Sequence, residues 1–372
     1  MSIAERVLVI YRDVVGAPPS PDQINEWLGK SPESINIDLV DICNLWCLDH
    51  CGYPGQQERR EQRIEAGEAV ESPYMSLDVL RQAVDELRQT WPNSLPAIQV
   101  TGNGEPLMHS DAIEAITYPA EKGFNVGLTT NGVLLNKKAT EAFCRAGVGM
   151  INVSLDAATP ETYAIVRPTR FGNVNFHSRV VRNIQDAVAV RDRLRLNGIA
   201  TPTEIMITMI VRPLSESEKE SFVKLGADVG VDKISFRPIN STAGLTPLPN
   251  QIEHEVSTNP AGVITHVDGQ RRWACHFPFK RMNFSIGEGG AIRVTYCPHG
   301  WDQPGFDVGN YPATSLKGLW EGGKFEEIRQ AHLLGNIDPN SPCASCIDWH
   351  IVTRTGQSQA TYAEIIASQK GS

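Results

Sequence analysis

Seven of the eight cysteines form two groups that lie far apart in the chain. The early group is Cys43, Cys47 and Cys51, and the late group is Cys275, Cys297, Cys343 and Cys346. The N-terminus lacks the basic and then apolar plan of a secretory signal, so a reducing compartment is expected. Clustered thiols in such a compartment bind metals more often than they form disulfides. Because three thiolates are one fewer than an iron–sulfur cluster usually has, the early group predicts a cluster with one iron left open to a small molecule.

Zinc is the alternative to iron and sulfur in both groups. A zinc ion at the early group would need a fourth Cys or His ligand. His50 directly precedes Cys51, and both side chains could hardly reach one tetrahedral metal. Three buried core thiols are the other alternative there. In the late group, the pair formed by Cys343 and Cys346 suits structural zinc or a redox pair as well as an iron–sulfur cluster.

Length and charge narrow the class of protein. At 372 residues the chain can bury a large core, and one large domain with a smaller one is expected. A formal net charge of −9 disfavours nucleic acid or a membrane surface as the partner. No apolar run approaches the length of a bilayer-spanning helix. We therefore expect a cytoplasmic protein with a small-molecule substrate, in which Cys144 is a small buried core residue of a helix.

Six predicted strands alternate with predicted helices over the first two thirds of the chain. The strands are expected at 35–42, 97–101, 125–130, 150–155, 204–211 and 233–237. This alternation predicts an α/β fold, in which a parallel sheet is joined by right-handed crossovers. Active sites in such sheets form at the carboxyl ends of the strands. The loop after each strand is therefore where chemistry is expected.

Polar side chains follow these strands. After the early cysteines come Gly102, Gly104 and Glu105, then Thr130 and Asn131, then Ser154 and Asp156, and finally Arg237. Glycines let backbone acceptors approach a ligand closely, and a carboxylate is a partner for an ammonium group. Each short polar side chain could instead be a helix cap. One edge of the sheet is thus expected to gather thiols, a carboxylate beside two glycines, and several hydroxyl, amide and carboxylate groups.

The chain divides where its composition changes. Residues 1–34 are expected to form a helical extension before the core at 35–240. Residues 241–270 are rich in Pro, Thr, Asn and Gly and predict a linker or lid. The late cysteines fall in 271–350, where two strands split by a glycine-rich turn indicate a β-hairpin. Residues 351–372 are expected to form a C-terminal helix.

The early cysteines and the loops that follow the strands resemble the radical S-adenosylmethionine (radical SAM) superfamily over 35–240. That family has a partial (β/α)6 barrel and a Cys-x3-Cys-x2-Cys motif with an aromatic residue before the last Cys. Here the last gap is one residue longer, and His50 takes the aromatic position. The resemblance implies that Cys43, Cys47 and Cys51 bind a [4Fe–4S] cluster whose fourth iron is chelated by SAM. It also implies a contact of His50 with the adenine.

The other strand-end loops carry the resemblance further. The segment from Gly102 to Pro106 looks like the family's Gly-Gly-Glu-Pro segment, which implies that Gly102, Gly104 and Glu105 hold the SAM amino group. By the same resemblance, contacts with the carboxylate or ribose of SAM are implied for Thr130, Asn131, Ser154 and Asp156.

The late cysteines resemble the twitch domain, a shortened SPASM domain of radical SAM enzymes. This resemblance implies a small C-terminal α+β domain with one auxiliary [4Fe–4S] cluster. Four thiols ligate such a cluster completely, which points to electron transfer and not to binding of substrate. Arg237, between the two cysteine groups, is expected to orient a polar substrate or take a proton. Pairing with a nearby carboxylate is the alternative.

The resemblance implies reductive cleavage of SAM to a 5′-deoxyadenosyl radical that abstracts hydrogen from substrate. The spacing of both cysteine groups is similar to that of radical SAM oxidoreductases and lyases of aminoglycoside and nucleoside-antibiotic biosynthesis. A hydroxylated sugar or aminocyclitol is therefore the expected substrate, for dehydrogenation, dehydration or decarboxylation. Flavodoxin or another reductase is the expected electron donor. A maturase of ribosomal peptides and a non-catalytic metal-binding scaffold are the alternatives.

Overall fold

The computed structural model describes residues 8–11, 22, 31–47, 51–172, 174–238, 256–261, 263–267, 270–272, 274–301, 305–346 and 358–361. Its strands are β1 Leu8–Tyr11, β2 Ser34–Ile37, β3 Ala97–Val100, β4 Val126–Thr130, β5 Met150–Ser154, β6 Glu204–Val211, β7 Lys233–Pro238, β8 Val256–Thr258, β9 Ile264–Val267, β10 Gln270–Arg271, β11 Arg281–Ile286, β12 Ile292–Thr295, β13 Asp307–Tyr311 and β14 Ser358–Thr361. Its α-helices are α1 Tyr53–Glu65, α2 Leu77–Thr90, α3 Ala112–Glu121, α4 Lys137–Ala146, α5 Pro160–Val166, α6 His177–Leu196, α7 Lys219–Val229, α8 Phe277–Lys280, α9 Leu316–Trp320 and α10 Gly323–Leu334.

Eleven of these strands form one sheet, in the order β13-β12-β11-β2-β3-β4-β5-β6-β7-β1-β14. Strands β2 to β7 are parallel neighbours in chain order. They are the six strands predicted from the sequence, and their buried apolar side chains belong to the large core. The predicted α/β fold with a parallel core of six strand–helix units is therefore confirmed.

Helix α2 shows why the crossover helices form where they do. The hydroxyl of Ser76 accepts the N–H of Val79 at 3.5 Å and caps the first turn. The buried face consists of Leu80, Ala83, Val84 and Leu87. This three- and four-residue spacing places one side of the helix on the sheet.

Helix α1 is absent from the sequence-based prediction, because the polar stretch 56–71 has no apolar period. The structure forms the helix through contacts at its first turns. Tyr53 is buried and its ring meets the ring of Trp46 edge to face at 5.6 Å. Farther along, Glu61 pairs with Arg170 from another loop. Tertiary contacts thus supply what the local pattern lacks.

The cysteine-rich C-terminal region extends the sheet of the barrel. Strand β11 lies parallel to β2, and β12 and β13 continue antiparallel. The predicted hairpin is confirmed, and it is attached to the edge of the parallel core. In the stretch 241–270, which is predicted as a linker or lid, the described residues form part of a three-stranded sheet, β10-β9-β8.

The two predicted terminal helices fall mainly outside the described residues. Within 1–34, residues 8–11 form β1, which pairs parallel with β7. Within 351–372, residues 358–361 form β14, which pairs antiparallel with β1. Residues 8–11 and 358–361 are thus strands at the sheet edge opposite β13. None of the described helices is long and apolar enough to cross a membrane.

Candidate functional site

The early cysteines lie in the loop between β2 and α1, at the carboxyl edge of the parallel strands. Asn131, directly after β4, reaches this loop. Its Nδ2 donates to Oδ1 of Asn44 at 2.6 Å and lies 3.7 Å from Sγ of Cys43. On the other side, Sγ of Cys51 lies 3.8 Å from the carbonyl oxygen of Asn103. The loops after β2, β3 and β4 therefore meet around the thiols.

Two glycines allow the loop after β3 to press against the cysteine loop. A Cβ atom at Gly104 would lie 1.8 Å from the carbonyl oxygen of Val40, and one at Gly102 would lie 2.0 Å from Oδ1 of Asp38. No side chain fits at either position. Gly104 thus has a second function, which is to bring two backbone segments into contact, and Gly102 makes room for the Asp38 carboxylate.

Glu105 joins three of these loops. It is 2% exposed, and its carboxylate accepts from the Thr130 hydroxyl at 2.6 Å, the Asn131 N–H at 2.7 Å and the Leu107 N–H at 3.1 Å. Its own N–H donates to the carbonyl of Ile42 at 2.8 Å. Burial raises the pKa of Glu105, although these bonds oppose the shift. Its role at the SAM amino group stays a prediction.

Asp156 is connected to the cysteine loop through an arginine. It is fully buried and has a φ of 62°. Arg167 donates to one carboxylate oxygen from Nε at 2.8 Å and from Nη2 at 2.6 Å. The other oxygen accepts the N–H of Ile210 at 2.7 Å. Nη1 of Arg167 lies 3.8 Å from Sγ of Cys47. A contact of Asp156 with the SAM ribose stays a prediction.

The surroundings of the early cysteines disfavour free thiolates. Burial raises the pKa of Cys43 well above its usual range, and the negative charges of Glu105, Cys47 and Cys51 raise it further. Thiolates gathered in this way need a cation to stabilise them. A metal supplies this positive charge, and the thiols lose their protons when it binds. The donor set therefore fits a metal cluster.

The late cysteines line a small cavity. Its walls are Arg272, Cys275, Phe277, Pro278, Tyr296, Cys297, His299, Phe306, His332, Cys343 and Cys346. The hydroxyl of Tyr296 lies 3.4 Å from Sγ of Cys343, and Arg272 donates to the Cys343 carbonyl at 2.8 Å. Burial raises the pKa of Cys297 well above its usual range, and the charges of the other three thiolates add to the effect. Four converging thiols again fit a cluster.

Zinc and a four-iron cluster require different spacings of the cysteine sulfurs. Zinc draws its ligand sulfurs to about 2.3 Å from one point. Within the described part of the chain, no three side chains of His, Cys, Asp or Glu converge closely enough for one metal ion. A four-iron cluster places each thiolate on a different iron, so its ligands stand farther apart.

The structure places most of the predicted residues at the carboxyl edge. None of the cysteines forms a disulfide, and Cys144 is fully buried in α4, as predicted. Thr130 and Asn131 join the cysteine loop through Glu105. Ser154 ends β5 and Arg237 lies in β7, and their predicted roles stay predictions. His50 lies outside the described residues.

Three polar residues at this site are missing from the sequence-based prediction. Asn44 lies between two cysteines, and Arg167 and Tyr163 belong to α5 and its C-terminal end. The prediction considers only the first residues after each strand. Arg167 comes thirteen residues after the end of β5, so extending the search through the following helix is the signal that could have found it.

The sequence of the barrel matches a known family. The model of the Radical SAM superfamily matches residues 37–224, which is half of the chain. The GTP 3′,8-cyclase of Alkaliphilus metalliredigens is 29% identical over 241 residues, 63% of this chain and 66% of that protein. The probable GTP 3′,8-cyclase of Methanocaldococcus jannaschii is 24% identical over 235 residues, 61% of this chain and 68% of that protein. The chain thus spans about two thirds of the length of these curated relatives.

Solved structures share the fold. BtrN in complex with AdoMet and 2-DOIA is 13% identical with a TM-score of 0.51, over 88% of this chain and 99% of that one. SuiB of Streptococcus suis bound to S-adenosylmethionine is 13% identical with a TM-score of 0.58, over 87% of this chain and 72% of that one. At such low identity the likeness concerns the fold alone.

The relatives overturn the predicted substrate. A hydroxylated sugar or aminocyclitol is the wrong expectation, because the curated relatives are named GTP 3′,8-cyclase. These names fit neither the antibiotic pathways nor the two alternatives, a peptide maturase and a non-catalytic scaffold. The prediction relied on cysteine spacing, and the spacing concerns the cluster ligands and not the groups that bind substrate.

Proposed function

Because the chain belongs to the radical SAM superfamily and uses SAM and two [4Fe–4S] clusters as cofactors, we propose that it abstracts hydrogen from a guanine nucleotide such as GTP. When bound at Cys43, Cys47 and Cys51, the first cluster supplies the electron that splits SAM, and SAM supplies the 5′-deoxyadenosyl radical. The observation that carries the proposal is the meeting of three strand-end loops at these thiols.

The residues around the early cysteines position the reactants. The glycine contacts at Gly102 and Gly104 fix the loop after β3, whose backbone carbonyls are the acceptors we assign to the SAM ammonium group. Glu105 holds this loop against β4. Cys47 is 5% exposed and Leu45 is 2% exposed, so the cysteine loop excludes much of the water.

The late cysteines bind the auxiliary cluster in this proposal, as in a twitch or SPASM-like domain. Cys275, Cys297, Cys343 and Cys346 occupy all four irons, so this cluster accepts or donates electrons and does not bind substrate. The guanidinium of Arg272 lies beside the cavity. Burial lowers its pKa, and the negative charges of Cys346, Cys343 and Cys275 oppose this shift. Reducing equivalents come from flavodoxin or another reductase.

Three arginines are candidates for holding the phosphate groups of a guanine nucleotide. Eight curated relatives are named GTP 3′,8-cyclase or probable GTP 3′,8-cyclase, and this name specifies GTP. Phosphate groups are recognised by arginine. Arg272 and Arg281 both lie near the late cysteines. Burial lowers the pKa of each arginine, and the negative charges of these cysteines oppose the shift. Arg237 lies in β7. We assign the phosphates to these three arginines.

The test is an anaerobic assay of the reconstituted full chain with GTP, ATP or no nucleotide. We expect about eight irons per chain, as two [4Fe–4S] clusters require, and 5′-deoxyadenosine that forms faster with GTP than with ATP. GTP deuterated on its ribose carbons should transfer deuterium to 5′-deoxyadenosine. The Cys43→Ala variant should cleave no SAM, whereas Cys144→Ala is the matched control. Equal rates with and without GTP, and no transfer of deuterium, would contradict the assigned substrate.

A further inference from the structure

Two polar groups at the end of α5 face the early cysteines without belonging to the strand-end loops. Arg167 caps the helix, and its Nη1 lies 3.8 Å from Sγ of Cys47. Tyr163 lies one turn earlier and is fully buried. Residues four apart lie on the same face of a helix. Both side chains are thus presented to the same region.

The guanidinium of Arg167 is held in one orientation. Asp156 binds its Nε and Nη2 edge, and the N–H of Ile210 fixes the other carboxylate oxygen of Asp156. Only 11% of the Arg167 side chain is exposed. Burial acts to lower its pKa, but the charges of Asp156 and Cys47 outweigh burial and raise it. A permanent positive charge therefore points at a cysteine sulfur.

The hydroxyl of Tyr163 has no hydrogen-bond partner among the described residues, although it is buried. Leaving a buried hydroxyl unpaired costs free energy. Burial raises the pKa of Tyr163; the charge of Arg167 opposes this shift, and the charges of Cys47, Asp156 and Cys43 add to it. A buried donor one helical turn from Arg167 indicates an acceptor that the described residues do not supply.

We propose that Arg167 and Tyr163 donate hydrogen bonds to sulfur atoms of the first cluster and so raise its reduction potential. The inference rests on the proposed function, which places that cluster at the early cysteines. Reduction adds one negative charge, and a cation or a donor at sulfur stabilises the reduced form more than the oxidised form. Asp156 is a positioning residue in this proposal, because it orients the guanidinium of Arg167.

The experiment is a redox titration of the reconstituted full chain without SAM, followed by electron paramagnetic resonance. The signal of the first cluster is identified as the one that changes when SAM is added afterwards. Tyr163→Phe and Arg167→Lys should each lower the ratio of reduced to oxidised cluster about tenfold at a fixed potential. This change corresponds to a reduction potential lower by about 59 mV for a one-electron couple. Lysine keeps the charge but cannot hold Asp156 and sulfur together.

Matched variants separate this effect from general changes. Tyr118→Phe removes a hydroxyl that bonds Asp85 in another part of the fold, and Arg193→Lys alters a surface pair. Both should leave the potential unchanged. Unfolding of the cluster-free chain is the second measurement. There, Tyr163→Phe should be neutral or stabilising, because the lost hydroxyl has no protein partner.

The possible results are distinct. A wild-type chain that binds no cluster at the early cysteines would overturn the proposed function together with this inference. A cluster whose potential is the same in the wild type, Tyr163→Phe and Arg167→Lys would overturn the inference alone. Destabilisation of the cluster-free chain by Tyr163→Phe would show that the hydroxyl has a partner within the protein, which would remove its assignment to the cluster.

Discussion

Replacing Gly104 with alanine should damage the early site from a distance, without altering any thiol. The new Cβ would lie 1.8 Å from the carbonyl oxygen of Val40 and 2.9 Å from that of Ile42. Both atoms belong to backbone that carries the cysteine loop, so no side-chain rotation relieves the overlap. The loop after β3 must move away by about 1.5 Å to reach an ordinary contact distance.

The size of the effect follows from the contacts that this movement breaks. Overpacking of a filled site costs about 1–3 kcal/mol. The separation also lengthens the 2.8 Å hydrogen bond from the Glu105 N–H to the Ile42 carbonyl, which is worth about 1 kcal/mol. We therefore expect Gly104→Ala to lower the free energy of unfolding of the cluster-free chain by about 2–4 kcal/mol.

Urea unfolding of the cluster-free chain measures this loss, and iron analysis after reconstitution measures its consequence. The variant should bind about half of the wild-type iron, because only the early site is displaced. Gly323→Ala is the matched control, since nothing lies within 4 Å of the Cβ that it adds. If Gly104→Ala unfolds at the wild-type urea concentration and binds all of its iron, the proposed contact between the two loops is wrong.

Three further predictions concern pH, a buried ion pair and the late cysteines. Burial raises the pKa of Asp41 from 3.8 to about 6, so its contribution to stability is lost as pH rises from about 4 to about 6. The free energy of unfolding of the wild type should fall by roughly 3 kcal/mol over this pH range, and that of Asp41→Asn should not. Urea unfolding at a series of pH values measures both. Arg191→Met removes the buried guanidinium that pairs with Asp232, whose side chain is 26% exposed, and should cost about 1–3 kcal/mol in the same measurement; no measurable loss would contradict the pairing. Cys297→Ala should reduce iron from about eight to about four per chain while SAM-dependent spectral changes persist, and unchanged iron would exclude it as a ligand.

The parallel core was predictable because its signals are local. Each strand is a short apolar run, and each helix has a repeating apolar face with a recognisable cap, as at Ser76. Cysteine spacing likewise predicts two separate metal-binding regions without any knowledge of the fold. The late hairpin was predictable from its turn, but its attachment beside β2 was not, since pairing partners 247 residues apart leave no local trace.

What the sequence could not provide is the set of partners of each polar residue. Helix α1 escaped prediction because contacts of Tyr53 and Glu61 with distant residues stabilise it. Arg167 escaped because its importance arises from two contacts that the fold creates, one with Asp156 and one with Cys47. The substrate escaped for a different reason. Thiols specify which cofactor is bound, and the groups that select a substrate carry no comparable pattern.

The early site also shows why loss of activity is weak proof of a cofactor contact here. Gly102, Gly104, Glu105 and Asp156 match positions that the family resemblance assigns to SAM, yet each has a close partner within the protein. Changing any of them would move loops as well as remove a contact with SAM. The two roles differ in the cluster-free chain, where only the structural role affects the free energy of unfolding. A residue whose replacement impairs SAM binding but leaves that free energy unchanged is a direct ligand, and Glu105, with three donors on its carboxylate, should fail that criterion.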